Sequence, residues 1–151
     1  AAAPMAVPGP RKGAFGLRAG LGGATAGIGA PTIGFTFLAT DSVGISFDLG
    51  GGFKDRGDMG FGFGLGIDVR LGSATKPIRP LFIIGGGFGK TISTRGDDML
   101  LDFNIGGGAE YWFSDHFSFS GKALVDLPID LRSGRLSVVT LTPGIGGTFY
   151  F

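Results

Sequence analysis

The sequence predicts an all-β fold, an eight-stranded antiparallel transmembrane β-barrel. Three observations lead there. Apolar residues recur at every second position through most of the chain, which is the period of a strand with two unlike faces. The residues between them are mainly glycine, hydroxyl-bearing or charged. The connections alternate between short turns and longer, more charged segments, an asymmetry that goes with a barrel crossing a membrane.

Composition removes the competing classes. The 151 residues include 32 Gly, 15 Phe and no Cys, with 43% hydrophobic and 17% charged residues. An ordinary soluble domain has roughly 7% Gly and about 25% charged residues. A disordered chain would lack this much Phe, Leu and Ile. Without cysteine there is no thiolate metal site, disulfide or cysteine nucleophile. With 13 basic against 12 acidic side chains there is no electrostatic footprint for nucleic acid, so none is expected as a partner. The longest uncharged stretch, Ala19 to Thr40, contains six Gly and one Pro and cannot hold a spanning helix. Residues 1–12, rich in Ala and Pro, read as a flexible leader, and Ala1-Ala2-Ala3-Pro4 as the start of a mature chain after removal of an export signal. The barrel is expected over residues 13–151.

The elements follow in order. Phe15, Leu17, Ala19 and Leu21 alternate with Gly16, Arg18, Gly20 and Gly22. Ile33, Phe35, Phe37 and Ala39 alternate with Gly34, Thr36, Leu38 and Thr40. Val43, Ile45, Phe47, Leu49 and Phe53 share one face of a third strand, with Asp48 and glycines opposite. The clearest strand runs from Met59 to Gly72, where Phe61, Phe63, Leu65, Ile67, Val69 and Leu71 face away from Gly62, Gly64, Gly66, Asp68 and Arg70. Residues 79–92 form another strand, but the run Leu81-Phe82-Ile83-Ile84 leaves its phase open. Leu101, Phe103, Ile105, Ala109, Tyr111 and Phe113 then alternate with Asp102, Asn104, Gly106, Gly108, Glu110 and Trp112. Phe117, Phe119, Ala123, Val125 and Leu127 oppose Ser118, Ser120, Lys122, Leu124 and Asp126, and Val139, Leu141, Ile145, Phe149 and Phe151 close the series. Short turns are expected at 40–42, 73–77 and 114–116, and longer loops at 23–31, 54–58, 92–99 and 128–135.

The apolar face is too large and continuous to be left in water, and eight strands enclose little space. Lipid outside and small or polar side chains inside satisfy both conditions. In hydrocarbon every backbone group must be paired, which strands achieve only in a closed barrel. The expected lumen network is therefore Arg18, Asp48, Asp68, Arg70, Asp102, Asn104, Glu110, Lys122 and Asp126. Across the 114–116 turn, Asn104 should stand opposite Asp126 and Gly108 opposite Lys122. Two interfacial aromatic belts are expected. One holds Phe15, Phe47, Tyr111, Phe113, Phe117, Phe119, Phe149 and Phe151, and the other holds Phe53, Phe61, Phe63 and Phe103.

The final residues, Ile145-Gly146-Gly147-Thr148-Phe149-Tyr150-Phe151, resemble the C-terminal signal of bacterial outer-membrane barrels. The segment from Gly107 to Phe117, with Ser114-Asp115-His116 at its centre, resembles a strand–periplasmic turn–strand unit. Together they resemble the small OmpA/OmpX-type eight-stranded barrels. The resemblance implies that the chain is integral to the outer membrane of a Gram-negative bacterium, with both termini in the periplasm and lipid as its main partner. It also implies that Phe149 and Phe151 form the segment read by the barrel insertion machinery.

Other features compete for a functional reading. His116-Phe117-Ser118 invites comparison with lipid A deacylases, but the sole Glu, Glu110, precedes the pair, and His116 falls in a turn. A single His offers no metal site, and neither a catalytic residue nor a cofactor is expected. Arg56-Gly57-Asp58 and Arg95-Gly96-Asp97 repeat one tripeptide in two long loops, making Arg56, Asp58, Arg95 and Asp97 candidate loop contacts. The expected role is non-enzymatic, structural and anchoring or docking an envelope protein partner. A narrow pore, a lipid A-modifying enzyme and a surface adhesin are the alternatives.

The C-terminal signal is directly testable. Phe151→Ala should reduce the fraction of chain that reaches the heat-modifiable folded form in cells, read by gel mobility with and without boiling. Unchanged assembly would make the C-terminal resemblance accidental.

Overall fold

The alternation of large and small residues holds the backbone extended. The computed structural model describes residues 9, 12–22, 31–53, 58–93 and 96–151, and among them every regular element is a strand. These are β1 (Phe15–Leu21), β2 (Pro31–Leu38), β3 (Val43–Phe53), β4 (Met59–Arg70), β5 (Ile78–Ile92), β6 (Asp98–Trp112), β7 (Phe117–Asp130), β8 (Arg135–Leu136) and β9 (Thr140–Tyr150). Each long strand pairs antiparallel with the next, and β1 closes on β9 from Gly16↔Tyr150 to Leu21↔Ile145. The result is a closed barrel of eight strands. The two-residue β8 folds back on the end of β7 at Ile129 and Asp130.

One end of the barrel is tightly built. The Thr40 hydroxyl accepts bonds from the amides of Ser42 (3.2 Å) and Val43 (3.0 Å). The Ser114 hydroxyl does the same for His116 (3.3 Å) and Phe117 (3.1 Å). Such side-chain acceptors replace ladder bonds where the chain reverses. The C-terminal strand ends here too, with the Phe151 amide bonded to the Phe15 carbonyl at 2.9 Å. At the opposite end, Asp130 takes the amides of Arg132 (2.7 Å) and Ser133 (3.4 Å), and Gly134 closes that turn at φ 66°. The loop expected over 128–135 is thus shorter, because β7 continues to Asp130. The leader, apart from Gly9 and Lys12, and most of the loops at 23–31 and 54–58 lie outside the described residues.

The register across the 113–116 turn pairs Asn104 with Asp126 and Gly108 with Lys122, as the alternation requires. The open phase of β5 resolves with Arg79, Leu81 and Ile83 inward and Phe82 and Ile84 outward. Leu17, Ile33, Leu65, Ile67, Ile105 and Ile145 are all exposed on the outer wall, which is the arrangement that lipid accepts and water does not.

The inward side is sterically demanding. A Cβ at Gly34 would collide with the Phe47 carbonyl, one at Gly106 with the Ala123 carbonyl, and one at Gly108 with the Gly121 carbonyl. Gly121, on the outer wall, would meet nothing within 4 Å. Gly106→Ala and Gly108→Ala should each lower stability by about 1–3 kcal/mol through forced displacement of the neighbouring strand. Gly121→Ala should be near neutral. Urea unfolding of the refolded barrel in micelles measures all three, and equal behaviour would contradict this packing.

Candidate functional site

The lumen holds three tiers of side chains, each delivered by the inward phase of several strands. At the turn end, Leu38, Trp112 and Tyr150 form a buried cluster that also packs Ala14. The Trp112 and Tyr150 rings lie 4.9 Å apart. Against this cluster Arg70 donates from Nε to Glu110 Oε2 at 2.6 Å and from Nη2 to the Tyr150 hydroxyl at 3.0 Å. The Ser118 hydroxyl donates to Glu110 Oε1 at 2.7 Å. Arg79, 1% exposed, ties the same region to the β2–β3 turn by donating to the Asp41 carbonyl at 2.8 Å and the Ser42 hydroxyl at 3.2 Å. With the Tyr150 hydroxyl donating to Glu110 Oε1 at 3.4 Å, Glu110 is bonded from three strands besides its own, β4, β7 and β9.

The middle tier centres on Arg18 from β1. Its Nε lies 3.3 Å from Asp48 Oδ1 on β3, and its Nη1 lies 3.2 Å from Asp68 Oδ2 on β4. Leu81, Ile83 and Leu124 form an apolar patch on the facing wall. Two cavities of about 10 Å³ adjoin Arg18 and Lys122, each roughly the size of one water. In the outer tier Asp102, Asn104 and Asp126 are all buried, and the Thr142 hydroxyl donates to Asp126 Oδ2.

All nine residues named for the lumen network point inward, but they divide into two groups. Arg18, Asp48, Asp68, Arg70 and Glu110 are joined by ion pairs, whereas Asp102, Asn104, Lys122 and Asp126 take part in none among the described residues. Arg79, Tyr150, Trp112 and Leu38 belong to the plug, and the sequence reading assigned none of them a role. Arg79 was hidden by the apolar run that follows it. Tyr150 and Trp112 carried a signal, because each is a large aromatic on the phase otherwise reserved for small and polar residues.

The aromatic belts differ in detail from expectation. Tyr111 and Phe113 (4.6 Å), Phe113 and Phe117 (5.6 Å), and Phe149 and Phe151 (5.2 Å) pack around the turn end, and Phe15 stacks on Phe35 at 5.4 Å. Phe119 is on the same outer wall, and Phe53, Phe61 and Phe103 are exposed toward the other end. Phe47 and Phe63, assigned to opposite belts, instead stack on one another (6.4 Å), with Phe88 on the far side of Phe63 (5.8 Å). The antiparallel register of β3 and β4 brings these three to one level at mid-height.

His116 and Ser118 do not form a catalytic pair. Ser118 is buried against Glu110, while the exposed His116 Nδ1 lies 2.7 Å from Asp115 Oδ1 in the turn. That hydrogen bond holds the Asp115 carboxyl below its ordinary range. Among the described residues no three His, Cys, Asp or Glu side chains form a metal-ligating group. Of the loop candidates, Arg56 and Arg95 lie outside the described residues. Asp58 immediately precedes β4, and Asp97 pairs with Lys90 at 3.0 Å.

The same architecture occurs in the N-terminal β-barrel domain of Pseudomonas aeruginosa OprF, with a TM-score of 0.68 at 20% identity over 93% of this chain and 98% of that one. Ail, the attachment invasion locus protein of Yersinia pestis, aligns over 91% of this chain and 95% of its own, with a TM-score of 0.44 at 13% identity. No family model and no curated protein matches the sequence. The likeness to the OprF domain is one of fold, a closed eight-stranded antiparallel barrel.

The Arg70–Glu110 pair is buried on both sides, and removing one partner leaves an uncompensated charge. Glu110→Leu should cost about 3–5 kcal/mol of stability, and adding Arg70→Met should recover a large part of the loss. Denaturant titration in micelles measures both. A double variant no more stable than the single would show that Arg70 does not depend on Glu110.

Proposed function

We propose that the chain is an integral barrel of a bacterial outer membrane, with both termini in the periplasm. Its lumen is plugged, and its role is structural, anchoring or docking a larger envelope assembly. The observation that carries this reading is the sealed cross-section at the turn end. There Leu38, Trp112 and Tyr150 pack together beneath the bonded Arg70, Glu110 and Ser118. A rigid, filled cylinder is suited to presenting loops and turns, and function on such scaffolds concentrates in the segments it holds.

The rival roles have less support. A lipid A-modifying enzyme would need a base for Ser118, and its hydroxyl is committed to Glu110 with no imidazole beside it. An adhesin acting through both Arg-Gly-Asp loops would need free aspartates, and Asp97 is engaged by Lys90. A narrow pore would have to pass the plug.

Gentle extraction from native membranes, followed by sizing and mass spectrometry, tests the proposal. The expected result is a stoichiometric envelope protein co-eluting with the chain, and no steady conductance from the pure protein in planar bilayers. A lone barrel near its own 15.4 kDa plus detergent, with reproducible single-channel currents, would overturn it in favour of the pore.

A further inference from the structure

The barrel wall does not stop where β9 leaves β7. The two strands pair only as far as Asp126↔Thr140, and beyond that level β8 takes over, with Ile129↔Leu136 and Asp130↔Arg135. The Ser137 amide bonds to the Pro128 carbonyl at 2.7 Å, and toward β6 the Leu131 amide bonds to the Met99 carbonyl at 3.0 Å. The two-residue period of the wall therefore runs on into this hairpin. Ile129 and Leu136 continue the outward phase of Val125 and Leu127, while Asp130 and Arg135 stand opposite one another on the lumen phase.

The outward side of this region is apolar. Leu136 and Leu141 are 58% and 69% exposed, each more than Ile33, Leu65 or Ile105 on the wall itself, and Leu131 and Val139 are exposed beside them. From Phe117 to Ile129, β7 climbs about 30 Å, at roughly 3.3 Å per residue and a tilt of about 40°. The apolar band of an outer-membrane barrel is about 25 Å tall. The hairpin thus stands at the upper edge of the hydrocarbon, where headgroups begin.

Charge supplies an independent indication of what covers it. Lys90, on the outward phase of β5, pairs with Met99 and so marks the level of Leu131. Arg132, at the hairpin tip, is exposed and has no carboxylate oxygen within 4 Å among the described residues. The nearby acids are otherwise engaged, Asp97 by Lys90 and Asp130 by the amides and hydroxyl of its own turn. Apolar side chains topped by basic ones follow the order of acyl chains and phosphates in a leaflet.

We infer that the β7–β8 hairpin and the segment leading into β9 form a lip seated in the lipid leaflet at the end opposite the short turns. Acyl chains just below the headgroups cover its outward side, where a surface loop would meet water or a protein. The inference rests on the outer-membrane reading above and deepens it, because it makes lipid the partner of a segment that the sequence reading treats as a charged loop.

The test uses the full chain refolded into phosphatidylcholine vesicles whose acyl chains carry bromine either near the headgroup or near the chain end. Bromine quenches Trp emission on contact. The single Trp, Trp112, is buried in the lumen and supplies a constant background. Leu136→Trp and Val139→Trp each place a reporter on the lip, and Ile105→Trp places one at mid-height on the wall. Heat-dependent gel mobility checks that each variant is folded. The lip reporters should lose more than half of their added emission to bromine near the headgroup and little to acrylamide in the water. Ile105→Trp should be quenched best by bromine near the chain end.

Lip reporters quenched by acrylamide and not by bromine would overturn the inference and leave this surface to a protein partner or to water. Reporters shielded from both quenchers would also overturn it, by assigning the surface to a second copy of this chain. If bromine fails to quench Ile105→Trp as well, the outer-membrane reading itself falls, which separates its failure from that of the lip.

Discussion

Closure of the sheet, β1 against β9, is the contact on which the rest of this molecule depends. A strand edge in hydrocarbon would leave a row of amide and carbonyl groups unpaired, each costing several kcal/mol. The pairing from Gly16↔Tyr150 to Leu21↔Ile145 removes that edge. The first and last strands therefore meet, and closure also brings Tyr150 into the lumen beside Trp112. The terminal segment consequently has two faces with separate duties. Phe149 and Phe151 look outward, and between them Tyr150 completes the plug.

Closing only eight strands makes the interior narrow, and the inward faces are written for that narrowness. Glycines at 34, 106 and 108 stand where a Cβ would strike the backbone of the next strand. Space saved there is used elsewhere in the same cross-section. Leu81 and Ile83 from β5 and Leu124 from β7 come together beside Gly106 and Gly108. Large and small residues thus alternate around the wall as well as along each strand.

Charge is distributed by the same logic. Arg18 and Arg70 each pair with carboxylates on strands that are not their ladder neighbours, so their ion pairs tie β1 to β3 and β4, and β4 to β6, through the lumen. Buried pairs of this kind contribute little net stability over an apolar substitute, but they penalise any arrangement that separates the partners. They therefore favour one register over its neighbours. The outer tier breaks the pattern, with Asp102, Asn104 and Asp126 buried outside the ion pairs formed by the described residues.

The strands, their inward and outward phases, and the pairing across the 113–116 turn were all legible in the sequence, because a period of two assigns every residue of a strand once one is placed. The exception was β5, where Leu81-Phe82-Ile83-Ile84 is apolar on both faces and only its neighbours decide which way Arg79 turns. Sequence also identified which charges enter the lumen, since a charged residue on the glycine-bearing face has nowhere else to go. Only the tertiary structure decided which of those charges meet. Ion pairing depends on how strands far apart in the chain are staggered around the closed cylinder, and no local pattern encodes that stagger. For the same reason Phe47 and Phe63 share one stack, Tyr150 and Trp112 pack together at one end, and Asp102 and Asp126 lie outside the ion pairs of the described residues.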